Sequence, residues 1–128
     1  MIVRATPLPD GSAHYRGLRM TARQYLQLED DGVRYELVDG VVCMSPSPNC
    51  THQIIAVELI YEIRRHLEKS PLGKVLHEID VHLGDDLVYR PDVVFVSNDR
   101  LQAGADFITG PPDLVVEIIS ESSRRYDR

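Results

Sequence analysis

The chain has 128 residues, enough for one domain around a single core and too few for two ordinary ones. Its formal net charge of −6 argues against a protein that grips nucleic acid with its whole surface, although a local basic patch stays possible. No apolar run reaches bilayer-spanning length. Arg4, Pro7 and Pro9 interrupt the start, so no export signal is expected and a cytoplasmic setting is favoured. In that setting Cys43 and Cys50 are expected to be reduced thiols.

Residues 1–20 are rich in Pro, Gly and polar residues and read as a flexible N-terminal arm. Thr21 followed by Gln24 forms a capping-box pattern, which predicts a short helix from Ala22 to Glu29 that Asp30-Asp31-Gly32 ends. Arg34–Val38 and Val41–Ser45 flank Asp39-Gly40, a dipeptide that supplies the positive φ a tight hairpin needs. Thr51–Lys69 is the one long helix, with Ile54, Ile55, Val57, Leu59, Ile60, Ile63 and Leu67 mostly three or four apart. Pro71 and Gly73 stop it.

Lys74–Leu83 alternates, with Val75, His77, Ile79, Val81 and Leu83 on one face and Leu76, Glu78, Asp80 and His82 on the other. After the Gly84-Asp85-Asp86 turn, Leu87–Ser97 reads as a strand in which Pro91 marks an edge, a bulge or a late entry into the ladder. A long connection, Asn98–Pro112, leads to a last strand, Asp113–Ile119. Ser120–Ser123 then reads as a helix start, followed by Arg124, Arg125 and Arg128. The order predicts an α/β or α+β fold, a mixed sheet flanked by helices.

Two carboxylates stand out. Asp92 follows Pro91 ahead of Val93-Val94-Phe95-Val96, and Glu117 follows Leu114-Val115-Val116. A carboxylate in such apolar strands loses hydration and needs a cation or donors in return. Two on neighbouring strands repel unless something positive lies between them, and a divalent metal would serve. The alternative is that Asp92 caps a turn and Glu117 pairs with an arginine. Glu36 is either a third acid of such a site or a hairpin residue paired across the strand with a cation.

Glu78, Asp80 and His82 share a face that is either a second metal surface or, as favoured here, a solvated sheet face. His52 is expected to cap the long helix rather than reach the site. Asp113 could replace Asp92 as the metal-binding acid. Arg64, Arg65, Arg124, Arg125 and Arg128 read as solvated helix ends or as phosphate contacts.

Tyr35–Gly40, Ser47-Pro48 through His52, Asp80–Leu83, Arg90–Val96 and Gly110–Ser120, in this order and spacing, resemble the Uma-two family of the PD-(D/E)XK nuclease superfamily. The resemblance covers about Thr21 to Arg128. It implies a restriction-endonuclease-like mixed sheet and Mg²⁺- or Mn²⁺-dependent cleavage of DNA. Asp92 and Glu117 match the metal ligands, and Glu36 looks like a further acidic member. The superfamily's lysine position holds Ile119 here, and relatives place a lysine on the following helix, past Asp127-Arg128. Residues 21–128 are therefore expected to form the domain without its last helix and strands. The domain would be either a nuclease or an inactive relative that works through self-association. A homodimer or larger assembly is expected to cover the apolar last strand.

Overall fold

The computed structural model describes residues 14–45, 48–102 and 104–119. The elements run α1 (Ala22–Tyr25), β1 (Tyr35–Val38), β2 (Val41–Met44), α2 (Cys50–Lys69), β3 (Gly73–His77), β4 (Val81–Gly84), β5 (Leu87–Tyr89), β6 (Val93–Ser97), β7 (Ile108–Thr109) and β8 (Leu114–Val116). The α+β class and the mixed sheet agree with expectation. A five-stranded sheet has the order β2-β1-β5-β4-β7, antiparallel except for the parallel β4–β7 pair. The strands do not all join it: β3, β6 and β8 form a second, antiparallel sheet in the order β3-β6-β8.

Local chemistry explains the first half. Thr21 Oγ1 accepts from Gln24 N–H and Gln24 Oε1 accepts from Thr21 N–H, the reciprocal box foreseen. Helix α1 is only one turn long, because the chain tightens into turns after Tyr25 rather than running to Glu29. Asp39 and Gly40 have φ of 52° and 74°, so the β1–β2 hairpin turns as its Asp-Gly predicts. Ala22, Tyr25, Tyr35, Leu37, Val42 and Val88 close one core between α1 and this sheet. Leu37, Val42 and Val88 are fully buried and each contributes about 1.5–3 kcal/mol. Residues 1–13 of the expected arm lie outside the described residues. Its end runs along β2, where Gly17 N–H donates to the Val42 carbonyl and Met20 N–H to that of Gly40.

The second half departs from the sequence pattern. Lys74–Leu83 is not one strand. β3 ends at His77, Glu78 turns with φ of 49°, and β4 starts at Val81 in the other sheet. The alternation expected to keep one face inward is broken there: Val81 is buried, whereas His77 and Leu83 are exposed. Leu87–Ser97 breaks likewise at Arg90-Pro91-Asp92, passing from β5 in the first sheet to β6 in the second. Pro91 suits the break, since it has no N–H to give a ladder and holds Arg90 extended. A second core, Val81, Val94 and Val96 with Leu76, Ile79, Leu101 and Ile108 against it, joins the two sheets.

Helix α2 starts one residue earlier than expected and packs along β3. It buries only His52 and Ala56. Ile54, Ile55, Val57 and Tyr61 remain exposed, so the apolar periodicity overstated how much of this helix faces the core.

Tyr35 is buried and its hydroxyl donates to Asp31 Oδ2 at 2.6 Å. Burial first, and this bond second, push its pKa up to about 12. The folded state therefore keeps a proton that the unfolded chain surrenders near pH 10. Stability fully present below pH 10 is expected to fall as pH rises through 12. Urea unfolding at pH 9 and 11.5 measures the loss, which shrinks in Tyr35→Phe. An equal slope in both proteins would contradict the assignment.

Candidate active site at the two strand crossings

The two places where the chain leaves one sheet for the other lie side by side. Glu78 N–H donates to the Asp92 carbonyl at 3.2 Å, and His77 Nδ1 lies 3.0 Å from the same oxygen. Arg90 Nε stands 3.3 Å from Asp80 Oδ1, tying one crossing to the other. Glu78, Asp80 and Asp92 lie in the two crossing segments themselves, and Glu36 reaches them from β1 through its bond to Arg90.

Asp92 is 5% exposed. Its Oδ2 accepts from Ile118 N–H at 2.7 Å, and its Oδ1 lies 3.1 Å from His52 Nε2. Strand β6 pairs with β8 as Val93↔Val116 and Val94↔Val115. Continued by one residue, this register sets Asp92 opposite Glu117, and directly opposed residues project to the same side of a sheet. The Ile118 bond to Asp92 agrees with that continuation. On that continuation the two foremost sequence candidates would face each other across two strands. Glu117 is the more exposed, just past the end of β8.

Glu36 takes a different place. It projects from β1, with Oε2 accepting from Arg90 N–H at 2.8 Å and Oε1 from the Ser45 hydroxyl at 3.3 Å. It braces the segment that delivers Asp92. Glu78 and Asp80 are half-buried rather than solvated: Glu78 Oε1 lies 3.5 Å from Arg34, and Asp80 is paired with Arg90. The expected water-facing sheet face is corrected accordingly, because a strand break stands where continuous pleating was assumed. Burial raises the Asp80 pKa, and Arg90 opposes the shift. Tyr25 shifts upward too, through burial and then the Asp80 charge.

Asp113 is committed elsewhere. Its Oδ2 accepts from Ser97 N–H at 2.7 Å and Oδ1 lies 3.7 Å from Arg100, and the Ser97 bond lowers its pKa. His52 reverses its expected role. Asn49 caps α2, accepting from His52 N–H at 2.8 Å, while the His52 ring turns inward to Asp92. The usable signal was Asn49 itself, a strong N-cap residue directly after Pro48. Arg64 and Arg65 are exposed on α2, whereas Arg124, Arg125 and Arg128 lie outside the described residues. Cys43 and Cys50 are free thiols.

Among the described residues, no group of three or more His, Cys, Asp or Glu side chains is arranged to hold a metal ion. The carboxylates of Asp92 and Glu117 would offer oxygen donors to an ion. Such a donor set suits Mg²⁺ or Mn²⁺, hard ions that keep several waters and need few protein ligands.

Residues 22–128 match the Uma2 family, described as "Putative restriction endonuclease". An uncharacterised protein of Synechocystis sp. is 28% identical over 112 residues, a match covering 86% of this chain and 58% of that protein. A crystal structure from Anabaena variabilis ATCC 29413, described as "a putative nuclease belonging to DUF820", superposes with a TM-score of 0.67 at 20% identity. That match covers 84% of this chain and 65% of the solved one, and at this identity it shows a shared fold. The chain spans less than two thirds of either relative's length.

Proposed function

The chain belongs to the Uma2 family, and from that membership we propose that it is a metal-dependent nuclease domain that hydrolyses DNA phosphodiesters at the Asp92–Glu117 junction. The observation that supports this reading is the β6–β8 register, whose continuation by one residue would set the buried Asp92 opposite the exposed Glu117. A divalent ion bound there would acidify a water and relieve charge growing on phosphate. Asp92 and Glu117 would hold it. Glu36 supports the site by fixing Arg90, and with it the turn into Asp92. Arg34 and Arg90, beside the acids, temper the negative field that a phosphate must approach. Titration calorimetry with Mg²⁺ and Mn²⁺, followed by cleavage of supercoiled plasmid, tests this. No heat from the wild type would sink it.

A second reading, metal binding without turnover, is favoured by Ile119. This apolar side chain stands where the superfamily's catalytic lysine is expected and is 60% exposed. Saturable Mn²⁺ binding with intact plasmid would select it.

Self-association belongs to either reading. Leu114, Val115 and Ile119 are 48%, 44% and 60% exposed. Strand β8 is the outer strand of its sheet, and among the described residues no strand pairs with its far edge. An apolar edge of this kind is a template for another strand. We expect a second copy there, giving a dimer mass by light scattering. A monomer mass at high concentration would refute it.

A further inference from the structure

His52 holds Asp92 in a way that neither the family resemblance nor the metal reading requires. The two side chains are 10% and 7% exposed, and their contact is 3.1 Å. The backbone of His52 is itself fixed in the first turn of a 20-residue helix by its bond to Asn49. Its other ring nitrogen, Nδ1, is buried and meets no hydrogen-bond partner among the described residues. A neutral imidazole carries one donor and one acceptor nitrogen. A carboxylate oxygen faces Nε2, so the proton belongs on Nε2 and Nδ1 is left bare.

We infer that His52 is the positioning residue for Asp92. This rests on the metal reading above and adds to it the group that aims the carboxylate. With Ile118 N–H on Oδ2 and His52 on Oδ1, each oxygen holds one protein donor, and the carboxylate cannot turn about its Cβ–Cγ bond without losing both. Each oxygen keeps one further lone-pair direction for a cation. Without His52 only the Ile118 bond remains, and the carboxylate is free to swing away from Glu117. Hydrogen-bonding groups behind metal ligands typically matter roughly 10–100-fold in affinity. His52 is not assigned as a ligand, because its inward nitrogen is already turned to Asp92.

Two measurements test this. Long-range ¹H–¹⁵N spectra of the wild-type chain should show His52 protonated at Nε2 and bare at Nδ1, and the opposite tautomer overturns the assignment whatever the metal does. Calorimetric titration with Mn²⁺ should show His52→Ala binding roughly 10–100-fold more weakly than wild type. His52→Gln, whose amide still donates, should recover most of the loss. Equal affinity in wild type and His52→Ala overturns the positioning role while leaving the metal reading intact. No binding in wild type overturns both. Circular dichroism melts of each variant separate lost affinity from lost fold.

Discussion

Gly73→Ala is expected to lower stability by about 3 kcal/mol or more, enough to unfold a marginal domain. Gly73 is buried at the start of β3, opposite Ser97 of β6. A methyl group built on it would run into the Val96 carbonyl oxygen, with the Ser97 Cα at 2.8 Å and the Phe95 ring at 2.9 Å. Two of these three obstacles are backbone, held in the β3–β6 ladder, so they cannot yield as a flexible side chain would. The ladder must separate, and with it the strand that carries Asp92. Gly104→Ala is the contrast. Its φ is +76° but nothing among the described residues lies within 4 Å, so only backbone strain of about 1 kcal/mol is expected. Urea melts of both variants check the pair. A Gly73→Ala melt matching that of Gly104→Ala would show that β3 does not lie as closely on β6 as described.

The first half of the fold was legible because its causes are local. A capping box, an Asp-Gly turn and a three-four apolar repeat each act within a few residues, and each produced its element. The strand breaks were hidden for the opposite reason. Alternation from Val75 to Leu83 continues straight through Glu78, so nothing in the pattern marks where the chain changes sheets. Only the pairing of β3 with β6, and of β4 with β5, decides it. Pro91 was the one local sign of the other break. The same distinction holds at the site. Asp92 and Glu117 could be picked out as acids in apolar runs, but the partners of Asp92 could not. Glu36 and Arg90 are 54 residues apart, and the His52 ring reaches Asp92 from a helix whose first turn suggested only a cap.

Asp92→Ala and Asp92→Asn are expected to separate what this residue does for folding from what it does for a cation. Alanine leaves two donors, the Ile118 amide and the His52 ring, facing a buried space with no acceptor. Each such loss costs about 1–3 kcal/mol, so Asp92→Ala should be destabilised by about 2–6 kcal/mol as well as unable to bind Mn²⁺. Asparagine has nearly the same shape but one oxygen and one NH₂. Its oxygen can keep the Ile118 bond, and its NH₂ then points at His52 Nε2. Two donors cannot face each other, so the ring proton is expected to move to Nδ1, leaving Nε2 as the acceptor. Asp92→Asn should therefore stay folded, reverse the His52 tautomer and lose Mn²⁺ binding with the lost charge. Wild-type Mn²⁺ affinity in a folded Asp92→Asn protein would mean that this carboxylate serves the fold alone, and that the site must be sought at another acid of the junction.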